Sequence, residues 1–247
     1  MFSGKEVYRS HDEYGSITVL DNGNKRYLAF AEGDEQSCQL LSHPFQLQHD
    51  YAQAMLLALL FKQPKSITLL GVGGGCLASA LHEAIPDLTL QLVELRPKVL
   101  EVAYRYFQLP RSERVEVFIE DASEFIESDK REKVDILFSD LYSPEGLDLQ
   151  QTQHWFIERC SQLLTDDGWL VLNCWQMHRG EREMIAALKE FFEDVRGCLT
   201  VEGNWVVIAG KKASTLSAAQ TKDAAKRWSK TLDYSLLSCL SRLKPVA

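Results

Sequence analysis

From Ser66 to Gly210, short apolar runs alternate with segments whose apolar residues recur every three or four positions. The short runs cover residues 67–70, 88–94, 115–119, 134–138, 169–174, 195–200 and 205–210. The periodic segments cover 76–84, 97–107, 123–127, 152–164 and 181–192. Strands alternating with helices at this spacing predict an α/β fold built on a doubly wound, mostly parallel sheet. Glu202-Gly203-Asn204 joins the last two runs by a link too short for a crossover, so one strand is expected to run antiparallel.

Upstream the pattern differs. Two apolar-rich runs, 16–20 and 25–30, flank Asn22-Gly23, a strong hairpin signal. This predicts a small antiparallel β-unit that must pack on the larger downstream domain. A polar linker is expected from about residue 33 to His49, then a helix over 50–62 closed by Pro64. Downstream, Trp228, Leu232, Leu236, Leu240 and Leu243 fall near one face of an expected helix whose other face is basic. The expected organisation is therefore a β-unit and linker (1–49), a larger Rossmann-like α/β domain (50–212) and a basic helical tail (213–247).

Charge refines this picture. The net charge is −8, yet residues 211–247 carry +6, leaving −14 on the preceding 210. Such a tail is expected to dock on its own acidic body. An acidic body disfavours nucleic acid and suits a cationic substrate. The longest unbroken apolar run, 54–61, is too short to cross a bilayer. The first residues contain no signal-peptide-like apolar core. Six scattered cysteines without a Cys-x-x-Cys pair read as reduced thiols of a cytoplasmic protein. The six histidines lack paired ligand spacing, so no metal is expected.

The chemistry gathers where strands end. The first parallel strand runs into Gly71-Val72-Gly73-Gly74-Gly75, a turn in which Gly71, Gly73 and Gly75 let a backbone approach a ligand closely. The second ends at Glu94, about 20 residues on, where a carboxylate can hold a ribose diol. The third runs into Asp121-Ala122. Asp121 either accepts from an adenine amino group or caps the following helix. The fourth ends at Asp140, expected beside the glycines. Ligands of open parallel sheets bind outside these carboxyl ends, so the set reads as a nucleoside site.

These motifs, with Val93-Glu94, Glu120-Asp121-Ala122 and Asp135-Ile136-Leu137-Phe138-Ser139-Asp140, resemble the spermidine synthase (polyamine aminopropyltransferase) family. Tyr14-Gly15, Val19-Leu20-Asp21, Gln36-Ser37 and Asp50-Tyr51 also look like its N-terminal unit and entry helix. The resemblance implies a class I methyltransferase-like sheet preceded by a small β-domain. It implies decarboxylated S-adenosylmethionine as donor and a small cationic amine as acceptor. Glu94 would then bind the ribose, Asp121 with Ala122 the adenine, and Asp140 would orient and deprotonate the amine. Gln36, Tyr142, Ser143 and Glu145 would line the substrate pocket, and Tyr51 would either cover the donor, line the acceptor pocket or sit as a core tyrosine under its helix. Family members are often dimers or tetramers, so a homo-oligomer is an expectation too.

Two positions depart from the family pattern. Its glycine loop usually carries an Asp where Gly74 stands, and a second Asp where Ser143 stands in Asp140-Leu141-Tyr142-Ser143-Pro144. Each loss removes a partner for a cation. Glu145 or Asp148 is a candidate replacement. Gly74 also motivates an alternative, a small-molecule methyltransferase using intact S-adenosylmethionine. A third reading is a non-catalytic nucleoside-binding protein whose basic tail engages a partner.

Overall fold

A computed structural model describes residues 4–31, 35–143 and 146–246. Four antiparallel strands come first: β1 (Lys5–Asp12), β2 (Gly15–Asn22), β3 (Lys25–Ala29) and β4 (Glu35–Leu40). The hairpin at Asn22-Gly23 forms, with Asn22 paired to Lys25. Residues 35–40 were expected in a polar linker and are instead β4, paired antiparallel with β3. The polar composition has a reason: Gln39 is buried and donates to the Phe107 carbonyl at 2.7 Å. Its polarity serves the neighbouring layer, not solvent. Ile17, Val19, Leu28 and Phe30 pack on Val99, Val102 and Phe107, supplying a core that a four-stranded sheet lacks alone.

The helix expected over 50–62 is α1 (Asp50–Met55) continued by a 3-10 turn at Leu56–Leu60. Then come β5 (Ser66–Leu70), α2 (Cys76–Ala84), β6 (Thr89–Val93), α3 (Pro97–Tyr106), β7 (Val115–Phe118) and α4 (Ala122–Glu127). They are followed by β8 (Val134–Ser139), the short pair β9 (Tyr142–Ser143) and β10 (Gly146–Leu147), and α5 (His154–Gln162). Next are β11 (Leu164–Trp175), α6 (Arg182–Phe191), β12 (Asp194–Leu199) and β13 (Asn204–Gly210). The last elements are α7 (Ala218–Leu232), α8 (Leu237–Arg242) and β14 (Leu243–Pro245).

The large sheet has the order β14-β12-β13-β11-β8-β5-β6-β7. Strands β11, β8, β5, β6 and β7 are mutually parallel, and β13 runs antiparallel to both its neighbours, as the short link required. Along β8, Ile136 and Phe138 enter one core while Leu137 enters the other. Burial on both faces is why these strands read as unbroken apolar runs.

The tail is corrected as well. A single helix through Leu243 does not form: α7 ends at Asp233, whose φ of 56° is left-handed, and Leu243 pairs with Cys198 in edge strand β14. Leu232, Leu236 and Cys239 are nonetheless buried in the main core, and Trp228 Nε1 donates to the Leu59 carbonyl at 2.9 Å. The tail docks on its own body. No helix among the described residues is long and apolar enough to cross a membrane.

Candidate active site

The order of the sheet puts the ends of β8, β5, β6 and β7 side by side, and the chain reverses direction of winding between β5 and β8. The candidate acids therefore surround one cleft of about 580 Å³ whose wall includes Gly71, Val72, Gly73, Glu94, Asp121, Ala122 and Asp140. Gly71 and Gly73 have φ of 83° and 53°, conformations open to glycine at little cost. A β-carbon at Gly71 would run into the Asp140 carbonyl, so this glycine lets the loop lie against the catalytic candidate. Gly75 stands behind the wall. It turns the chain into α2 with φ 76°, its missing β-carbon 2.6 Å from Leu109 Cδ1.

Glu94 is buried and accepts from Val72 N–H at 3.0 Å and Gly73 N–H at 3.4 Å on one oxygen, and from Arg96 N–H at 3.0 Å on the other. Burial raises its pKa against the pull of these donors. The carboxylate thus ties the glycine turn to the end of β6. Arg96 is held in turn by Asp12 at 2.8 Å and stacks 4.5 Å from the Phe30 ring centroid, fastening the N-terminal sheet over this edge of the cleft. Asp121 does cap α4, accepting from Ser123 N–H at 2.7 Å and from the Ser123 hydroxyl. The cap bonds use Oδ1, leaving Oδ2 for a second partner.

Asp140 follows β8. Its N–H donates to the Leu70 carbonyl at 2.9 Å, and Oδ1 accepts from Asn173 Nδ2 at 2.8 Å. Asn173 is itself oriented, its side-chain Oδ1 accepting from Asn204 Nδ2 at 3.1 Å. Burial pushes the Asp140 carboxyl up to about 6, with the Asn173 bond opposing. A carboxylate with that affinity takes up and releases a proton near neutral pH. Tyr142 lies beside it, its hydroxyl 3.4 Å from the Asn173 carbonyl and its ring edge-on to Trp175.

The cleft wall also includes Gln36, Tyr51, His49, Glu35 and Glu202. The His49 ring stacks on Tyr51 with centroids 5.2 Å apart. Burial lowers the His49 pKa to about 4, so the imidazole is neutral at pH 7, 3.3 Å from a Glu35 oxygen. Glu35 and Glu202 are both raised, chiefly by burial. Burial also raises Tyr51, and the charge of Asp140 adds to it. The Ser143 side chain and Glu145 lie outside the described residues, so neither is placed. Asp148 reaches the cleft wall but caps the next turn, accepting from Gln150 N–H at 3.1 Å.

With this geometry in view, the comparisons become decisive. The spermine/spermidine synthase domain model matches residues 51–225. The chain belongs to that family. A polyamine aminopropyltransferase of Neisseria meningitidis serogroup A is 30% identical over 183 residues, covering 73% of this chain and 69% of that protein. A probable spermidine synthase from Corynebacterium glutamicum superposes with a TM-score of 0.76 at 20% identity, over 93% of this chain and 88% of that one. A spermidine synthase solved with the transition state analogue AdoDATO gives 0.70 at 17% identity, over 96% and 83%. At these identities the two structures speak to the fold. As a family member the chain is a transferase whose acceptor is open.

Sequence reasoning overlooked Asn173, Asn204, His49 and Glu202. Asn173 was legible in principle, as the one amide in the apolar run Leu170-Val171-Leu172-Asn173-Cys174 on the strand beside β8. His49 and Glu202 gave no local signal, because they meet across more than 150 residues of chain.

Proposed function

We propose that this family member transfers an aminopropyl group from decarboxylated S-adenosylmethionine to a small cationic amine. The observation that carries the reading is Asp140: a carboxyl raised to about 6, held by Asn173 and opening on the cleft beside the glycine turn. The attacking amine must be neutral, and an alkylammonium is not neutral at pH 7. Asp140 accepts that proton. The amine lone pair then forms a bond to the methylene carbon next to the sulfonium, the carbon–sulfur bond breaks, and its electron pair leaves with methylthioadenosine. The sulfonium is a good leaving group, so the main task of the protein is alignment.

Glu94 would hold the ribose hydroxyls, since Oε1 accepts a single backbone N–H, from Arg96, and keeps a lone pair for a hydroxyl donor. Asp121 Oδ2 and the Ala122 backbone would meet the adenine. The charge of the cleft supports a decarboxylated donor. Among the described residues its wall carries Glu35, Glu94, Glu120, Asp121, Asp140, Asp148 and Glu202, against Arg96, which is already paired with Asp12. A donor carboxylate would enter a field of its own sign, whereas an amine is attracted.

The test is incubation with decarboxylated S-adenosylmethionine and putrescine, cadaverine or spermidine, with release of methylthioadenosine as the readout. Release that depends on the amine and is lost in Asp140→Asn supports the reading. Absence of product with every amine rejects it, and stronger calorimetric binding of intact S-adenosylmethionine than of the decarboxylated donor would favour methyl transfer instead.

A further inference from the structure

The docked tail reaches the cleft through a chain of polar contacts. Arg242 Nη2, at the end of α8, donates to Asp50 Oδ1 at 2.6 Å. The other oxygen of Asp50 accepts from Val201 N–H at 2.9 Å, and the Asp50 N–H donates to Glu202 Oε2 at 3.0 Å. The nearby Tyr51 N–H also lowers the Glu202 pKa. Glu202 and Tyr51 both face the cleft. The hairpin tip between β12 and β13 is therefore fastened to the start of α1 by an aspartate that the tail holds.

Packing does not fix this tip. The Val201 side chain is 82% exposed, and Gly203 has a φ of 94°. The hairpin's own bonds and the Gln176 N–H bond to the Gly203 carbonyl hold its backbone, and the bonds to Asp50 on either side of Glu202 tie it to α1. Electrostatics make the tail necessary. Asp50 is half-buried beside Glu202, and its charge raises the Glu202 pKa while that of Arg242 lowers it. Burial would raise Asp50 as well, yet the Arg242 bond, the Val201 bond and the Arg242 charge hold it below the usual range. Remove the guanidinium and two carboxylates face each other across one backbone segment.

We infer that Arg242 is a positioning residue for the acceptor wall, acting through Asp50 to hold Glu202 and Tyr51 against the amine. The inference rests on the aminopropyltransferase reading. It assigns the tail a role in acceptor recognition and none in donor binding, since the Glu94 and Asp121 ends of the cleft lie on other elements.

The test uses the full chain with Arg242→Met, which keeps the apolar stem, Arg242→Lys, Asp50→Asn and Glu202→Gln. Steady-state kinetics with putrescine are run alongside calorimetry with methylthioadenosine. Arg242→Met and Asp50→Asn are each expected to raise the putrescine KM about tenfold, the effect of losing one charge-assisted bond. Methylthioadenosine affinity should stay within about twofold, because its contacts are untouched. Lysine should restore most of the loss, since Arg242 reaches Asp50 through a single nitrogen. In a Glu202→Gln background, Arg242→Met should add little.

An unchanged KM in Arg242→Met overturns the inference. So does a parallel loss of methylthioadenosine affinity, which would mark general loosening, or a full additional loss in the Glu202→Gln background. No transfer by the unaltered protein removes the reaction and the positioning role together. Transfer with no effect of Arg242→Met removes only the positioning role.

Discussion

Ser37 Oγ accepts the Gly74 N–H at 2.9 Å, and a β-carbon placed on Gly74 would stand 2.8 Å from the Ser37 β-carbon. Strand β4 therefore fills the room that the usual aspartate of the family's glycine loop would need. Phe107 Cδ1 closes the same space at 3.2 Å. The absence of that acid is built into the packing between the two sheets, and is not an isolated change in the loop.

Gly74→Asp should accordingly destabilise the fold by about 1–3 kcal/mol, the usual cost of overpacking a filled site. Adding Ser37→Gly removes the closer obstacle and should return part of the loss, with Phe107 as the remaining contact. Urea unfolding of the two variants against the parent checks this. A Gly74→Asp protein as stable as the parent would show that β4 yields readily.

In the proposed reaction Asp140 would link transfer to stability with a definite sign. Its folded pKa of about 6 lies above the free value of 3.8, so the folded protein binds this proton more tightly than the unfolded chain. The neutral carboxyl is at ease below about pH 4, and stability is lost as pH rises from there through about 6. Tyr51, Tyr142, Cys174 and Asn173 face it, and none of them offers a cation. Asp140→Asn should abolish transfer and yet stabilise the fold at pH 8 by on the order of 2 kcal/mol, allowing for partial solvent access. The gain should shrink toward zero near pH 4. Urea midpoints at the two pH values decide it, and equal gains at both would mean that the site is not desolvated.

Much of this was legible in the chain. The parallel strands could be read because both their faces are buried, and the acids at their ends because a polar residue closing an apolar run is conspicuous. Strand β4 was not legible, since Ser37 and Gln39 spend their polarity on Gly74 and Phe107 in the next layer. The tail misled because Trp228, Leu232, Leu236, Leu240 and Leu243 keep helical spacing across a break that a single left-handed residue, Asp233, makes. The part of the cleft around Tyr51 was hidden for another reason: His49, Glu35 and Glu202 are joined by tertiary contacts alone.

Glu94 holds the glycine turn as well as any ribose. Glu94→Gln retains the shape but sets an amide NH2 against backbone donors from Val72, Gly73 or Arg96. One of these donors loses its acceptor inside a buried site, which costs about 1–3 kcal/mol. Methylthioadenosine affinity should fall by about tenfold or more, with thermal stability reduced in parallel. Calorimetry and thermal unfolding test the pair, and full affinity in the variant would place the ribose elsewhere.

Asn173 offers the sharpest separation of orientation from ionisation. Its 2.8 Å bond favours the charged form of Asp140 and opposes the burial that raises it. Without that donor the carboxyl should titrate higher still, so the acid limb of the kcat/KM profile in Asn173→Ala should move upward from about 6 by about one unit. At alkaline pH Asp140 is ionised in both proteins, and whatever deficit remains there measures lost orientation alone. A two-part profile is therefore expected: a large deficit near pH 6 and a smaller one near pH 9. Should the limb stay in place while the rate falls uniformly, Asn173 would merely hold Asp140 in line, and the proton affinity of the acid would be set by burial.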